Sequence, residues 1–174
     1  MKILIAYTSA HGTTKKCAEL LASELCSKGE ITLVDMNKDS APSPVGYDAV
    51  ILGSSIRFAK ISKKLKAYIK EHKDALNKTD SGVFLCCGIP DEFEDYAKEQ
   101  MPKDLSLSLG VAHFGGELKP KNVKGIFDKL LVNAMRKEIT EHDFEDGTFN
   151  GVLPEILPES IKNFSLRVIE ALYG

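Results

Sequence analysis

Residues 3–14 read Ile3-Leu4-Ile5-Ala6-Tyr7-Thr8-Ser9-Ala10-His11-Gly12-Thr13-Thr14, and the change of character within this stretch decides the fold. An apolar run with strand character passes directly into hydroxyls and a glycine. From Thr14 onward Cys17, Ala18, Leu21, Ala22 and Leu25 recur at intervals of three and four, the period of a helix with one buried face. A buried strand, a short polar loop and a helix start together make an anion site. The first N–H groups of such a helix have no intrahelical acceptor and sit at its positive end. Thr8, Ser9, Thr13 and Thr14 add hydroxyl donors, and Gly12 lets the backbone approach an oxyanion closely. A phosphate can be held in this way without a lysine. Ser and Thr are also ordinary helix N-caps, so the segment by itself leaves both readings open.

With 174 residues the chain is long enough for one domain with a full core, and residues 1–174 are read as a single domain. Hydrophobic residues make up 43% and charged residues 28%, the balance of a soluble globular protein. The net charge of −2 gives no general reason to expect nucleic acid as a partner. The chain enters a strand at once, so no signal peptide is expected, and no apolar run approaches the length of a membrane span. The four cysteines, Cys17, Cys26, Cys86 and Cys87, lack CxxC spacing. That pattern argues against a zinc cluster or a disulfide framework, and buried free thiols in a reducing cytoplasm are the default.

Beyond the first helix, Lys28-Gly29 is a stop signal and Ile31 to Met36 reads as a second strand, with Ile31, Leu33 and Asp35 alternating against Thr32, Val34 and Met36. Ser40 to Pro44 is a loop. The continuous apolar run Ala49-Val50-Ile51-Leu52 fits a central parallel strand, ending in a second loop, Gly53-Ser54-Ser55-Ile56-Arg57-Phe58. Ile61, Leu65, Tyr68, Ile69 and His72 mark one face of a helix, and Lys63, Lys66, Lys70 and Lys73 mark another. Val83 to Cys87 is a fourth strand, stopped by Gly88-Ile89-Pro90. Asp91, Glu92, Glu94 and Asp95 open a third helix, where acids suit the dipole. A fifth strand covers Leu109 to Phe114. Ile126, Leu130, Leu131, Ala134 and Met135 define an amphipathic helix, Glu145 to Gly151 a turn-rich loop, and the stripe Ile161, Phe164, Val168, Ile169, Leu172 a last helix after Pro158.

Strands alternating with helices imply a three-layer α/β sandwich whose parallel sheet is covered on both faces. A dinucleotide-binding arrangement would need GxGxxG after the first strand, and Gly12 stands there alone. The five-stranded parallel order 2-1-3-4-5 fits better. Its ligand crevice lies at the switch point between strands one and three, between the Thr8–Thr14 and Gly53–Phe58 loops.

Thr8-Ser9-Ala10-His11-Gly12-Thr13-Thr14 resembles the flavodoxin phosphate loop. The run Val50-Ile51-Leu52-Gly53-Ser54-Ser55-Ile56-Arg57-Phe58 is similar to the matching segment of the flavodoxin-like, quinone-dependent protoporphyrinogen oxidases of bacteria. There a Gly-x-Ser-Ile-Arg-aromatic run follows strand three, and the likeness continues through the helix from Ser62 to His72. The chain departs from the flavodoxin loop at His11, where Thr is usual. It departs from the oxidases in Gly88 to Lys103, which is shorter than their basic insertion and opens on acids. The resemblance implies FMN, with its phosphate on Thr8, Ser9, Ala10, His11, Gly12, Thr13 and Thr14. Ser54, Ser55, Ile56, Arg57 and Phe58 would flank the flavin ring on one side. Cys87, Gly88 and Ile89 would line the other, with Phe93 stacking.

Electron chemistry of this kind belongs to the flavin, and no acid–base triad, nucleophile or metal cluster is expected. His11 reads as an extra donor or as a water-facing loop residue. Arg57 reads as a clamp for a substrate carboxylate, a neutraliser of flavin charge, or the partner of a surface acid. Cys86 and Cys87 read as packing, because strand neighbours point to opposite faces. Lys60, Lys63, Lys64, Lys66 and Lys70 make either a solvated face or a patch for an acidic partner or an anionic membrane surface. The leading function is an FMN-dependent oxidoreductase that takes electrons from a small reductant and passes them to a quinone or another acceptor. The alternative is a flavodoxin that carries electrons between redox proteins. A phosphoacceptor receiver domain is excluded, since Gly53 stands where its Asp would be and Thr8-Ser9 where its acidic pair would be.

Overall fold

The computed structural model describes residues 1–88, 93–117 and 155–174, with the backbone of 144–145 and 148–149. In chain order the elements are β1 (Lys2–Tyr7), α1 (Thr13–Leu25), β2 (Glu30–Asp35), β3 (Ala49–Ser55), α2 (Lys63–Leu76), β4 (Asp80–Cys86), α3 (Phe93–Gln100), β5 (Gly110–His113), β6 (Phe144–Glu145), β7 (Thr148–Phe149) and α4 (Pro158–Tyr173). β1–β5 form one sheet in the order β2-β1-β3-β4-β5, and every pairing in it is parallel. This is the three-layer arrangement and strand order expected from the sequence.

The registers Ile3↔Ala49 through Tyr7↔Gly53 align the two central strands. Successive side chains alternate faces, so Ile3, Ile5, Ala49 and Ile51 join the core under α1 and α4, while Leu4, Ala6, Val50 and Leu52 join the core under α2. Both faces are covered, and the strands therefore read as continuous apolar runs. β2 lies at the edge. There Ile31 and Val34 pack toward opposite layers as the alternation requires, but Leu33 remains 39% exposed.

Several boundaries differ from the sequence reading. β3 does not stop at Gly53: Gly53, Ser54 and Ser55 pair with Phe84, Leu85 and Cys86, so the ladder to β4 carries the strand through its polar residues. Opposite Gly53, the Phe84 ring occupies the place of a side chain; a Cβ there would lie 2.2 Å from Phe84 Cζ. Phe84 stacks on Phe114 at 4.6 Å between ring centroids, and Phe164 of α4 meets Phe114 edge-on at 5.7 Å. α2 runs past His72 to Leu76, with a break at His72 (φ −109°, ψ 15°). β5 is shorter than expected. Inside the turn-rich 145–151 region the chain pairs, Phe144–Glu145 lying antiparallel to Thr148–Phe149. The helix expected at Ile126–Met135 and the helix start at Asp91-Glu92 lie outside the described residues, which hold four helices.

After β5, residues 114–116 meet residues 155–157. Gly115 bridges Ile156, Gly116 N–H donates to Glu155 O (3.0 Å), and Leu157 N–H donates to Phe114 O (3.0 Å). Gly115 adopts φ +76°, and a Cβ would stand 2.0 Å from Glu155 O, so only glycine fits. Among the described residues no helix is long and apolar enough to cross a membrane.

Candidate functional site

The loop after β1 is built from its own backbone outward. Thr8 N–H donates to Gly53 O (2.9 Å), which extends the β1–β3 ladder one residue into the loop. Ser9 Oγ accepts from Gly12 N–H (3.1 Å) and closes the turn, while Asn37 Nδ2 donates to Ser9 O (2.9 Å) and ties the loop to the end of β2. Gly12 is the N-cap of α1 at φ 97°, a left-handed conformation that favours glycine. Among the described residues no side chain caps the helix, and its first turn holds no acid. Among the described residues, then, no side chain accepts from the leading amides of this 13-residue helix. That arrangement fits the phosphate end of a flavin nucleotide.

Two of the expected contact residues lie below this surface. Thr14 is buried, with its side chain hydrogen-bonded to Cys86. Cys86 Sγ lies 3.7 Å from Cys17 Sγ, and Cys17 in turn approaches Phe114 O (3.9 Å). The hydrogen bond to Cys17, followed by burial, pushes the Cys86 thiol well above its ordinary pKa. Cys17 and Cys86 are both buried packing thiols. Ser54 is completely buried and acts as a strut. Its Oγ donates to Ser55 O (3.0 Å) and accepts from Thr8 Oγ1 (3.3 Å) and Ser62 N–H (3.1 Å). One donor and two acceptor sites are the whole capacity of a hydroxyl.

The second lip, after β3, is a tight hairpin. Arg57 and Lys60 exchange backbone hydrogen bonds of 2.9 and 3.0 Å around Phe58 (φ 50°) and Ala59 (φ 57°). Two consecutive positive φ values define a turn of the I′ class, usually made by Asn-Gly. Here non-glycine residues hold it, and Phe58 projects from the tip, 55% exposed. Ile56 N–H donates to Cys86 O (2.8 Å), so this lip is fastened to β4.

The third lip follows β4. Cys87 is buried; its N–H donates to Gly115 O (3.0 Å), and its carbonyl accepts from His113 Nε2 (2.9 Å). Phe93 stacks on His113 at 4.6 Å, so one face of its ring is already occupied. Ile89 lies outside the described residues. Glu117 pairs with Lys16 of α1 (3.1 Å). The structure thus sets the Thr8–Thr13 loop, Ser55, Ile56, Arg57 and Phe58, and Cys87 and Gly88 at the carboxyl ends of three adjacent strands.

Between the first lip and α2 lies a cavity of about 540 Å³. Thr8, Ser9, Ala10, Ser55 and Arg57 line it from the expected set, and Asn37, Lys60, Ile61, Ser62, Lys63 and Lys66 line it in addition. Asn37 and Ser62 were not singled out in the sequence as site residues. A polar residue directly after β2 at the loop edge, and a Ser opening α2, were the available signals. Ser62 is the α2 N-cap, its Oγ accepting from Lys64 N–H (3.2 Å). Lys64 is not part of a loose solvated face, because its Nζ donates to Met36 O (2.9 Å) and Asn37 O (3.4 Å).

The sequence matches the family model described as the flavodoxin domain over residues 4–146. Among curated proteins it is 31% identical over 85 residues to the protoporphyrinogen IX dehydrogenase [quinone] of Escherichia coli (strain K12), covering 48% of this chain and 47% of that protein. The matched region therefore spans about half the length of the relative. In structure it resembles the rubredoxin oxygen:oxidoreductase of Desulfovibrio gigas (TM-score 0.55, 17% identity), covering 98% of this chain and 36% of that one. It also resembles a short-chain flavodoxin associated with a bacterial microcompartment (TM-score 0.53, 12% identity), covering 99% of both chains. At these identities the structural likenesses speak for the fold.

Proposed function

The chain belongs to the flavodoxin-domain family, and on that premise we propose that residues 1–174 form one flavodoxin-like domain that binds FMN and acts as an oxidoreductase related to the quinone-dependent protoporphyrinogen oxidases. The observation that carries this reading is the amino terminus of α1, uncapped by any side chain among the described residues and with no acid in its first turn, behind a hydroxyl-bearing loop at the switch point. FMN, when bound, supplies the electron chemistry.

The residues of the chain hold it in place. The α1 amides and the hydroxyls of Ser9 and Thr13 take the phosphate, and Gly12 keeps the approach clear, since a side chain there would need a strained backbone. Ser55, Ile56, Arg57 and Phe58 bound one side of the ring and Cys87, Gly88 and Ile89 the other. Backbone groups at the ring's polar edge and apolar groups over its faces set how readily it accepts electrons. Ser54 and Thr14 act from beneath by fixing the loops. Thr8 does the same through its ladder and Ser54 bonds, and His11 stands at the rim.

A small-molecule reductant or a redox protein delivers electrons, and a quinone or second protein removes them. The exposed Lys60–Lys70 side offers contact with an anionic membrane surface, which suits a protein working in the cytoplasm against a membrane-held quinone. The absorbance spectrum of the purified protein, followed by FMN titration, tests the core of this reading. A flavin spectrum or micromolar FMN binding is expected. A colourless protein that refuses FMN overturns it. Turnover of porphyrinogen or NAD(P)H with menaquinone analogues then separates an enzyme from a pure electron carrier.

A further inference from the structure

We propose that Cys17 and Cys86 form an oxidation site, at which hydrogen peroxide or another small two-electron oxidant joins them in a disulfide that loosens the loop after β1. Cys17 Sγ and Cys86 Sγ stand 3.7 Å apart, although the residues are 69 positions apart in the sequence. Both belong to the core under α1 and α4, Cys17 with no exposed surface and Cys86 with 4%. The other two cysteines are placed differently. Cys26 is exposed and lies nine residues beyond Cys17, about 13 Å farther along the helix. Cys87 adjoins Cys86, and consecutive side chains of an extended chain point to opposite sides.

Cys86 is the residue at which the three lips of the crevice meet. Thr14, in the first turn of α1, is hydrogen-bonded to its thiol. Its carbonyl accepts from Ile56 N–H (2.8 Å), which fastens the second lip, and the third lip begins at the next residue, Cys87. Bonded sulfurs stand about 2 Å apart, so the pair closes by roughly 1.7 Å and draws α1 toward the end of β4. A close-packed interior transmits such a displacement. It falls on Thr14, and through it on the loop whose Gly12 is the N-cap of the same helix.

Cys86 meets the oxidant first, being the less buried of the two, with the Thr14 hydroxyl favouring its thiolate. The thiolate attacks one peroxide oxygen and the O–O bond breaks. The products are a sulfenic acid on Cys86 and a hydroxide that takes up the proton the thiol released. The Cys17 sulfur then attacks the Cys86 sulfur, the S–O bond breaks, and the hydroxyl leaves as water with the Cys17 proton. Two thiols and one peroxide thus give one disulfide and two waters. The hydrogen bond to Cys17 and burial keep the Cys86 thiolate scarce at neutral pH, so the first step is slow and quickens as pH rises. A resolving thiol already in contact halts the oxidation at its reversible stage. The site stands on these thiols alone, and only its effect on FMN rests on the flavin reading above.

Peroxide treatment of the full chain carrying Cys26→Ser, followed by alkylation and peptide mass mapping, tests the proposal. A Cys17–Cys86 bridge that dithiothreitol removes is expected, forming several-fold faster at about pH 9 than at about pH 7. Amide hydrogen exchange over residues 8–14 should quicken in the bridged protein, and FMN affinity should fall by roughly tenfold and return on reduction. With Cys17→Ala or, separately, Cys86→Ala, peroxide should change neither exchange nor FMN affinity. The proposal is overturned if both thiols survive a peroxide dose that oxidises Cys26 of the unsubstituted chain. It is overturned equally if Cys17 bonds to Cys87 instead, or if the bridge forms and exchange over residues 8–14 is unchanged. A protein that refuses FMN in both states, yet forms the bridge and loosens its first loop, loses the flavin reading and keeps this one.

Discussion

Ser54→Ala removes a single oxygen on which two lips of the crevice meet. The Ser54 Oγ bonds to Thr8, Ser55 and Ser62 at 3.3, 3.0 and 3.1 Å, inside a residue with no exposed surface. A net intramolecular hydrogen bond contributes about 0.5–1.5 kcal/mol, and a donor left buried without a partner costs more. With the long Thr8 contact counted at the low end, the three sum to about 2–3 kcal/mol. For a domain of this size that corresponds to a melting temperature lower by about 5–10 °C. Alanine fits the space, so no clash confuses the measurement. Urea denaturation gives the stability loss, and flavin titration gives a second readout, because Thr8 and Ser62 lose their shared anchor: FMN affinity should fall by roughly threefold to tenfold. Thr8→Val should cost less, and the double variant should cost less than the sum of the two, since neighbours that share a bond are non-additive. A loss below about 0.5 kcal/mol with unchanged FMN affinity would refute the strut.

Gly53→Ala drives a Cβ to 2.2 Å from Phe84 Cζ, in a ring already stacked on Phe114. Overpacking of this kind costs about 1–3 kcal/mol or more, and urea midpoints will show it unless Phe84 swings aside without loss. Gly12→Ala meets no atom within 4 Å, so its cost is conformational, about 1–2 kcal/mol at φ 97°. Its FMN affinity should fall while riboflavin, lacking the phosphate, is less affected; equal weakening of both would contradict the phosphate grip. Tyr68 donates to Pro42 O (2.7 Å), and burial, then Tyr47 and Glu71, raise its pKa above the unfolded value near 10. As pH climbs above about 10 the unfolded phenol ionises first, so stability falls across that range. Tyr68→Phe should make the decline shallower, and an unchanged slope by alkaline denaturation would count against this assignment.

The fold was legible because β1, β3 and β4 are buried on both faces, so their apolar runs admit few alternatives, and because one glycine in place of three excluded the dinucleotide pattern. The end of β3 was not legible. Serines in a row look like a loop, and only the pairing to Phe84–Cys86 and the saturated Ser54 hydroxyl explain their place in a strand. The same hydroxyl accounts for the difference between lining a ligand and supporting its loop, which residue type alone does not encode. Phe93 was legible as an aromatic near the crevice, but its stack on His113, twenty residues later in the chain, is a tertiary contact. Asn37 escaped notice because its role depends on a bond to Ser9 O across two strands. Charge on α2 was visible as a lysine series, whereas the concave wall that Lys60, Lys63 and Lys66 share with Arg57 requires the I′ hairpin, which Phe58-Ala59 does not announce.

Gly116 and Glu155 are joined by one hydrogen bond, and Phe114 and Leu157 by another, so the two ends of the stretch between residues 117 and 155 are held side by side. With the ends pinned together, the length of chain between them weighs little on the fold: doubling it alters closure entropy by only about 0.6 kcal/mol. Insertions between those two ends should therefore be tolerated far better than a side chain at Gly115, where the joint itself is made.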